Sequence, residues 1–271
     1  MKLHSLLLPL FAAVLLSFCQ WAEAQQPTQL RVVAFNIQIG IGMDKQTNLE
    51  RTAAAIKALN PDLVALQEVD RKARRSQGVD QALELARMTG MHVVFGKASV
   101  REGIDQDGGD YGNAILSRYP IKRSQNRPLP NTRGYELRGV LEVEVDVPVA
   151  SGKRVPVRFF SAHFDNASEP DRIAAAKLLN ELAMANPNIP TIFGADLNAL
   201  PESEPVRILK ERWSFAGSLD EPSYPASDPK RRIDYIMFRP EGAWKLVEAN
   251  VASEPMASDH RPVFAVFEYA R

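Results

Sequence analysis

Eight polar residues of this 271-residue chain stand where apolar runs end: Asn36, Glu68, His163, Asp196, Asn198, Asp234, Asp259 and His260. The sharpest case is Thr191-Ile192-Phe193-Gly194-Ala195-Asp196-Leu197-Asn198, a short apolar run that closes on an acid and a carboxamide two positions apart. Residues two apart on a strand point to the same side, so Asp196 and Asn198 are expected to lean into one site if the extended geometry lasts that far. Gly194 suits a close approach of backbones. Carboxylates and carboxamides without a nearby thiol favour a hard cation, Mg²⁺ or Mn²⁺, over a zinc centre. Histidines among the acids titrate near neutral pH and can take or give a proton. A metal, an Asp-oriented His and an amide donor together suit hydrolysis of a phosphate ester by water. Taken singly, each residue is better read as a cap, a turn or a satisfied rim residue. The set points to chemistry.

The elements that must position these residues are legible from periodicity and punctuation. A β-type run over 30–37 delivers Asn36, and Thr47-Asn48-Leu49-Glu50 has the spacing of a capping box opening a helix to about Leu59. Asn60-Pro61 stops that helix, and a buried run over 62–68 ends on Glu68. Asp80 and Gly90 bracket a further helix, followed by a strand over 91–97. Positions 99–112, with Gly103, Gly108 and Gly109, read as a surface loop whose acids do not follow EF-hand spacing. Strands are expected over 111–120 and 139–147; the second alternates Leu141, Val143, Val145 and Val147 against Glu142, Glu144 and Asp146, so part of the sheet is antiparallel with one wet face. A strand over 155–164 delivers His163, Ser168 caps a helix to about Ala185, and the run ending on Asp196 follows. Ser203 is expected to cap a short helix to Trp213, and strands follow near Asp234, over 244–252 and over 263–267. The order strand ending in Asn or His, capped helix, strand ending in an acid occurs twice, which implies two similar halves sharing one site.

Lys2, the apolar stretch over 6–18 and Ala22-Glu23-Ala24 have the pattern of a secretory signal cleaved after Ala24, with an uncleaved anchor as the alternative. The one cysteine, Cys19, lies inside it, so the mature chain 25–271 is expected to carry no disulfide and to be secreted or periplasmic. Lys plus Arg and Asp plus Glu both number 33, and removing the leader takes Lys2 and Glu23 together, so the mature chain stays formally neutral. That argues against attachment to nucleic acid by bulk charge, although Arg71 to Arg75 and Lys230 to Arg232 are local cationic runs that could border a polyanion near the site. No second segment is apolar enough to cross a membrane.

Phe35-Asn36-Ile37, Leu66-Gln67-Glu68, Gly112-Asn113-Ala114-Ile115-Leu116-Ser117, Ala162-His163-Phe164, Gly194-Ala195-Asp196-Leu197-Asn198, Arg232-Ile233-Asp234-Tyr235-Ile236 and Ser258-Asp259-His260 occur in the order of the endonuclease/exonuclease/phosphatase superfamily. The chain resembles that family from about Leu30 to Tyr269, with Ala195 where the family often has Gly. The resemblance implies a four-layer α/β/β/α sandwich, two mixed β-sheets flanked by helices, with the site at one sheet edge. It implies Glu68 as the main metal ligand, assisted by Asn36 and Asp259, and His260 oriented by Asp234 as general base or phosphate-polarising group. Asp196 would position or activate water or protonate the leaving group, and His163 and Asn198 would hold phosphoryl oxygens, with Tyr111 adding a hydrogen bond. His92 fits no motif and is read as a surface or packing histidine. The expected activity is Mg²⁺- or Mn²⁺-dependent hydrolysis of a phosphate ester by a monomer, the substrate being a small molecule, a lipid headgroup or a nucleic acid. The alternatives are a secreted nuclease and a catalytically silent binding protein on the same fold.

Overall fold

A computed structural model describes residues 29–98, 108–132, 134 and 137–270; the expected leader at 1–24 lies outside them, as do positions 99–107 of the expected loop. The strands are β1 (Gln29–Asn36), β2 (Leu63–Arg71), β3 (His92–Lys97), β4 (Asp110–Ser117), β5 (Ile121–Pro128), β6 (Gly139–Pro148), β7 (Arg154–His163), β8 (Thr191–Asp196), β9 (Ser214–Phe215), β10 (Asp234–Arg239), β11 (Trp244–Val251) and β12 (Val263–Tyr269). The α-helices are α1 (Leu49–Ala58), α2 (Gln81–Thr89), α3 (Glu169–Met184) and α4 (Glu204–Lys210). Among the described residues no helix is long and apolar enough to cross a membrane.

The strands form two six-stranded mixed sheets, ordered β11-β12-β1-β2-β4-β3 and β5-β6-β7-β8-β10-β9. Each has one parallel pair at its centre, β1 with β2 and β7 with β8, and antiparallel pairs outside it. Each parallel pair is joined through a capped helix, α1 in one sheet and α3 in the other, so the two halves anticipated from the sequence correspond strand for strand.

Alternation along each strand sorts the side chains into layers. Val32 and Ala34 of β1 join Leu63 and Ala65 of β2, Phe159 of β7, Ile192 of β8 and Ile236 of β10 in a core between the sheets. Val33 and Phe35 face the other way, onto Leu49, Ile56 and Leu85 of α1 and α2. Phe160, Phe193 and Tyr235 pack on Leu179 of α3 and Leu209 of α4. The result is the four-layer α/β/β/α sandwich. At its centre the sheets approach closely: a Cβ added to Gly194 would lie 2.7 Å from Ala65 Cβ and 3.0 Å from Ala34 Cβ.

Asp80 and Ser168 cap α2 and α3 as expected, accepting from the backbone N–H groups of Leu83 and Asp171, and Gly90 ends α2 in the left-handed conformation. The cap of α1 is Asn48 rather than Thr47; its side chain accepts from Arg51 N at 2.8 Å. Ser203 makes no cap bond, because its hydroxyl donates to Leu200 O, and α4 stops at Lys210. Asp110 already opens β4, so the expected loop ends sooner. The face of β6 expected to be wet is only partly exposed: Glu142 pairs with Arg127 and Arg158, and Asp146 with Lys122. The partner bearing Arg127 and Lys122 is β5, a polar edge strand that has no apolar alternation to betray it.

Candidate active site

Strand polarity and register bring the polar strand ends to one edge of the sandwich. The parallel strands β1, β2, β7 and β8 all finish there, and the antiparallel β10 begins there. Register then sets neighbours: Asp196 stands opposite His163 on one side and Asp234 on the other. Asn36 and Asp196 continue the inward-facing parity of Val32 and Ala34 and of Ile192 and Gly194, so they meet across the gap between the sheets. Asn36 Nδ2 donates to Asp196 Oδ2 and to Glu68 Oε1, both at 3.0 Å.

Glu68 reaches that gap by a local irregularity. The ladder between β2 and β4 slips between Leu66 and Val69, and Glu68 has a positive φ of 55°. Before the bulge Val64 and Leu66 face the helices; after it Val69 does, so the extra residue lets Gln67 and Glu68 both serve the inner side. Gln67 Nε2 donates to Ser161 Oγ of the facing sheet, which locks the two sheets together just beneath the site. Burial raises the Glu68 carboxyl above its ordinary value, opposed by the Asn36 hydrogen bond and by His260 and reinforced by Asp259.

Asn198 corrects the expectation of continued extended geometry. The strand β8 ends at Asp196, whose Oδ1 accepts from Asn198 N at 2.9 Å, and Asn198 takes a φ of 47°. A carboxylate that bonds its own backbone two residues on replaces the strand with a turn. The turn still brings Asn198 to the site: its Nδ2 donates to Phe164 O and lies 3.1 Å from His163 Nε2.

His260 Nδ1 lies 3.0 Å from Asp234 Oδ2, and Ser223 Oγ donates to the same carboxylate oxygen at 2.6 Å. The other ring nitrogen, Nε2, lies 3.9 Å from both Asp196 Oδ2 and Asp259 Oδ1. Burial works against a charge on His260, yet Asp234 and Asp196 outweigh it and raise its pKa to about 10. Burial and Asp234 push the Asp196 carboxyl up to about 7, against His260. A protonated imidazole therefore stands among carboxylates that share its charge. Ser258 Oγ donates to Asn36 O at 2.7 Å and accepts from His260 N at 3.2 Å, tying the last motif to the first strand end. Asp259 Oδ2 accepts from Gln38 Nε2 at 3.0 Å.

The donors are oxygens and imidazole, the set a hard divalent ion takes. Asp196, Asp234 and His260 each offer an atom within 4.8 Å of the others and form a buried cluster capable of holding a metal. Glu68, Asn36 and Asp259 border it.

Tyr111 is buried, its Oη 3.2 Å from Arg138 Nη1, and Arg138 is a buried cation of the site that no sequence motif signals. Ser223 and Tyr224, whose ring centroid lies 4.8 Å from that of His260, were also invisible in the sequence, since they stand ten or more positions from Asp234. His92 is exposed on β3, away from these contacts. The cationic runs are largely engaged within the protein: Arg71 with Asp110, Arg75 with Asp70 at 2.6 Å, Lys230 with Asp228 at 2.8 Å, and Arg232 buried and donating to Glu221 O. Arg231 lies over the Tyr224 ring, 4.7 Å from its centroid.

Residues 33–260 match the Endonuclease/Exonuclease/phosphatase family. The chain is 25% identical to the uncharacterized Escherichia coli (strain K12) protein YbhP over 257 residues, covering 90% of this chain and 98% of that protein. Among solved structures it superposes on an endonuclease/exonuclease/phosphatase from Beutenbergia cavernae with a TM-score of 0.72 at 24% identity, covering 89% of this chain and 72% of the other. It also superposes on the mannosyl-6-phosphatase Bt3783 of Bacteroides thetaiotaomicron with a TM-score of 0.69 at 17% identity, covering 89% of this chain and all, 100%, of the other. At these identities the structural likeness speaks to fold.

Proposed function

The chain belongs to the Endonuclease/Exonuclease/phosphatase family, and on that premise we propose that it is a metal-dependent hydrolase of phosphate esters. The observation that carries this reading is the Asn36 amide bridging Glu68 and Asp196 from opposite sheets, beside an imidazole held by Asp234. An acid, an amide donor and a charged imidazole within one buried cluster match the needs of a phosphoryl group under attack.

A Mg²⁺- or Mn²⁺-type ion would supply Lewis-acid polarisation of a phosphoryl oxygen. Glu68, Asn36 and Asp259 are the residues proposed to hold it. The alternative cluster of Asp196, Asp234 and His260 is less suited, because its atoms are already committed to one another and to Ser223. The chain's own residues divide the remaining work. Asp196, with its raised proton affinity, takes the proton of the attacking water as the new P–O bond forms, while the bond to the leaving oxygen breaks in line and that oxygen takes its proton from solvent. His260, charged at neutral pH, donates from Nε2 to a phosphoryl oxygen as negative charge grows. His163, Asn198 and Tyr111 add donors to the same oxygens.

Cleavage of a nucleic-acid phosphodiester is the substrate reading with the more direct support. The family includes nucleases by name, and Arg231 over Tyr224, beside His260, sets a cation and an aromatic ring next to the reacting centre, a pairing that suits a nucleic-acid strand. A small phosphate ester is the second reading, favoured by the neutral chain and by the internal pairing of its arginines. Export to the periplasm or the exterior belongs to the proposal too, supported by the pattern at 1–24 and tested by sequencing the N-terminus of exported protein for a start at Gln25.

The test is turnover of plasmid DNA, RNA, a sugar phosphate, sphingomyelin and a nitrophenyl phosphodiester by the chain from Gln25, with Mg²⁺, Mn²⁺ or EDTA. Metal-dependent cleavage lost in His260→Ala is expected, with nucleic acid the preferred substrate. Turnover that survives both EDTA and His260→Ala overturns the mechanism. A folded, metal-binding protein that cleaves none of them favours a silent binding role.

A further inference from the structure

Arg138 lies at the entry to β6, is 4% exposed, and reaches two residues of the site with one nitrogen: its Nη1 is 3.2 Å from Tyr111 Oη and 3.1 Å from His163 Nδ1. A guanidinium carries five N–H donors and no lone pair, so whatever it hydrogen-bonds must accept. For His163 this has a sharp consequence. Its Nδ1 presents a lone pair to Arg138, and the one proton of the neutral ring sits on Nε2.

At Nε2 a carboxylate and an amide compete. Nε2 lies 3.4 Å from Asp196 Oδ2, an acceptor for that proton. Asn198 Nδ2 lies 3.1 Å from Nε2 and spends one of its two N–H donors on Phe164 O at 3.1 Å; the second competes for an Nε2 lone pair, but it is neutral, whereas the donor at Nδ1 is a charged guanidinium, which makes the stronger bond. The opposite tautomer would aim an Nδ1–H at the guanidinium, and the imidazolium would do the same while adding a charge beside it. Burial, Arg138 and His260 all hold the His163 proton affinity well below its ordinary value. Tyr111 Oη likewise accepts from Arg138, so its O–H is directed elsewhere.

We propose that Arg138 is a positioning residue that fixes His163 as the neutral Nε2–H tautomer, a permanent hydrogen-bond donor facing the reacting centre, and that orients the Tyr111 hydroxyl by the same bond. The step from donor to phosphoryl oxygen rests on the phosphoesterase reading; the tautomer itself does not. His163 then never exchanges a proton with the leaving group or with water. When an oxyanion arrives, the Nε2–H turns from Asp196 to it, which also releases the Asp196 oxygen for its own proton transfer.

Long-range ¹H–¹⁵N correlation of the imidazoles in the metal-free, ¹⁵N-labelled chain at pH 7.5 tests this without any substrate, and His163→Asn identifies the His163 signals. The expected wild-type spectrum shows a bare Nδ1 and a protonated Nε2. Arg138→Met should shift His163 toward the Nδ1–H or charged form, and Arg138→Lys, which keeps a donor, should restore the Nε2–H form. With whichever substrate turns over, Arg138→Met is expected to lower kcat by about 10²-fold with KM changed less. A wild-type His163 that is Nδ1-protonated or charged overturns the proposal, as does an Arg138→Met spectrum identical to wild type. Should Arg138→Met fail to fold, the wild-type spectrum decides alone. Absence of all turnover with the predicted tautomer present would count against the phosphoesterase reading and leave the Arg138 assignment standing.

Discussion

The Nδ1 of His260 lies 3.0 Å from Asp234 Oδ2, a contact between residues 26 positions apart, one opening β10 and the other in the turn before β12. Ser223 holds the same carboxylate from behind, and Tyr224 covers the ring, so the imidazole has a fixed plane and a fixed partner.

That pair sets the pH dependence. With Asp196 near 7 and His260 near 10, kcat/KM should rise with pH through about 7 as Asp196 loses its proton and fall toward 10 as His260 loses its own. Asp234 raises both values, so Asp234→Asn should move both limbs to lower pH and cut kcat by about 10²- to 10⁴-fold. A pH–rate series at saturating metal reads this, and limbs that stay in place in Asp234→Asn would contradict it.

Stability of the metal-free chain carries the same signature. The His260 value is raised from 6.5 to about 10 in the folded protein, so its contribution is fully present below 6.5 and is lost as pH rises toward 10. Thermal unfolding followed from pH 7 to 10 should show a falling Tm, with a shallower fall in Asp234→Asn.

The two metal groupings separate by mutation. Glu68→Gln keeps the shape and the neighbourhood of Asn36 while removing a charge, and should weaken Mn²⁺ binding by at least about 10-fold without lowering Tm by more than a few degrees. Calorimetric titration decides. Unchanged binding in Glu68→Gln together with lost binding in Asp234→Asn would place the ion at Asp196, Asp234 and His260.

Gly194 tests the packing that brings Asn36 to Asp196. A methyl there would sit 2.7 Å from Ala65 Cβ and 3.0 Å from Ala34 Cβ, so Gly194→Ala must push the sheets apart. The expected cost is about 1–3 kcal/mol, read as a drop in Tm of about 2–4 °C per kcal/mol. Ala65→Gly in the same chain should recover part of it; a Gly194→Ala protein as stable as wild type would show that the sheets are freer to move.

By itself the sequence determined which residues end the strands and in what order, because those signals are local. Asp80 and Ser168 cap helices, Leu141 to Val147 alternate with acids, and acids, amides and histidines stop the apolar runs, all within a few positions of chain. The ordered motifs were enough for the family and its four layers. What lay beyond the reach of local spacing was decided by contacts between distant segments. A slip in the β2–β4 ladder turns Glu68 inward, and a turn closed by the Asp196 carboxylate puts Asn198 beside His163. The strand β5 is polar from Lys122 to Arg127 and pairs because β6 offers it an edge. Arg138, 25 positions from His163, meets it across the β6–β7 pair. Proton affinities follow the same division: a carboxyl or an imidazole has an ordinary value as a residue type, and burial with its assembled neighbours moves Asp196, His163 and His260 away from it.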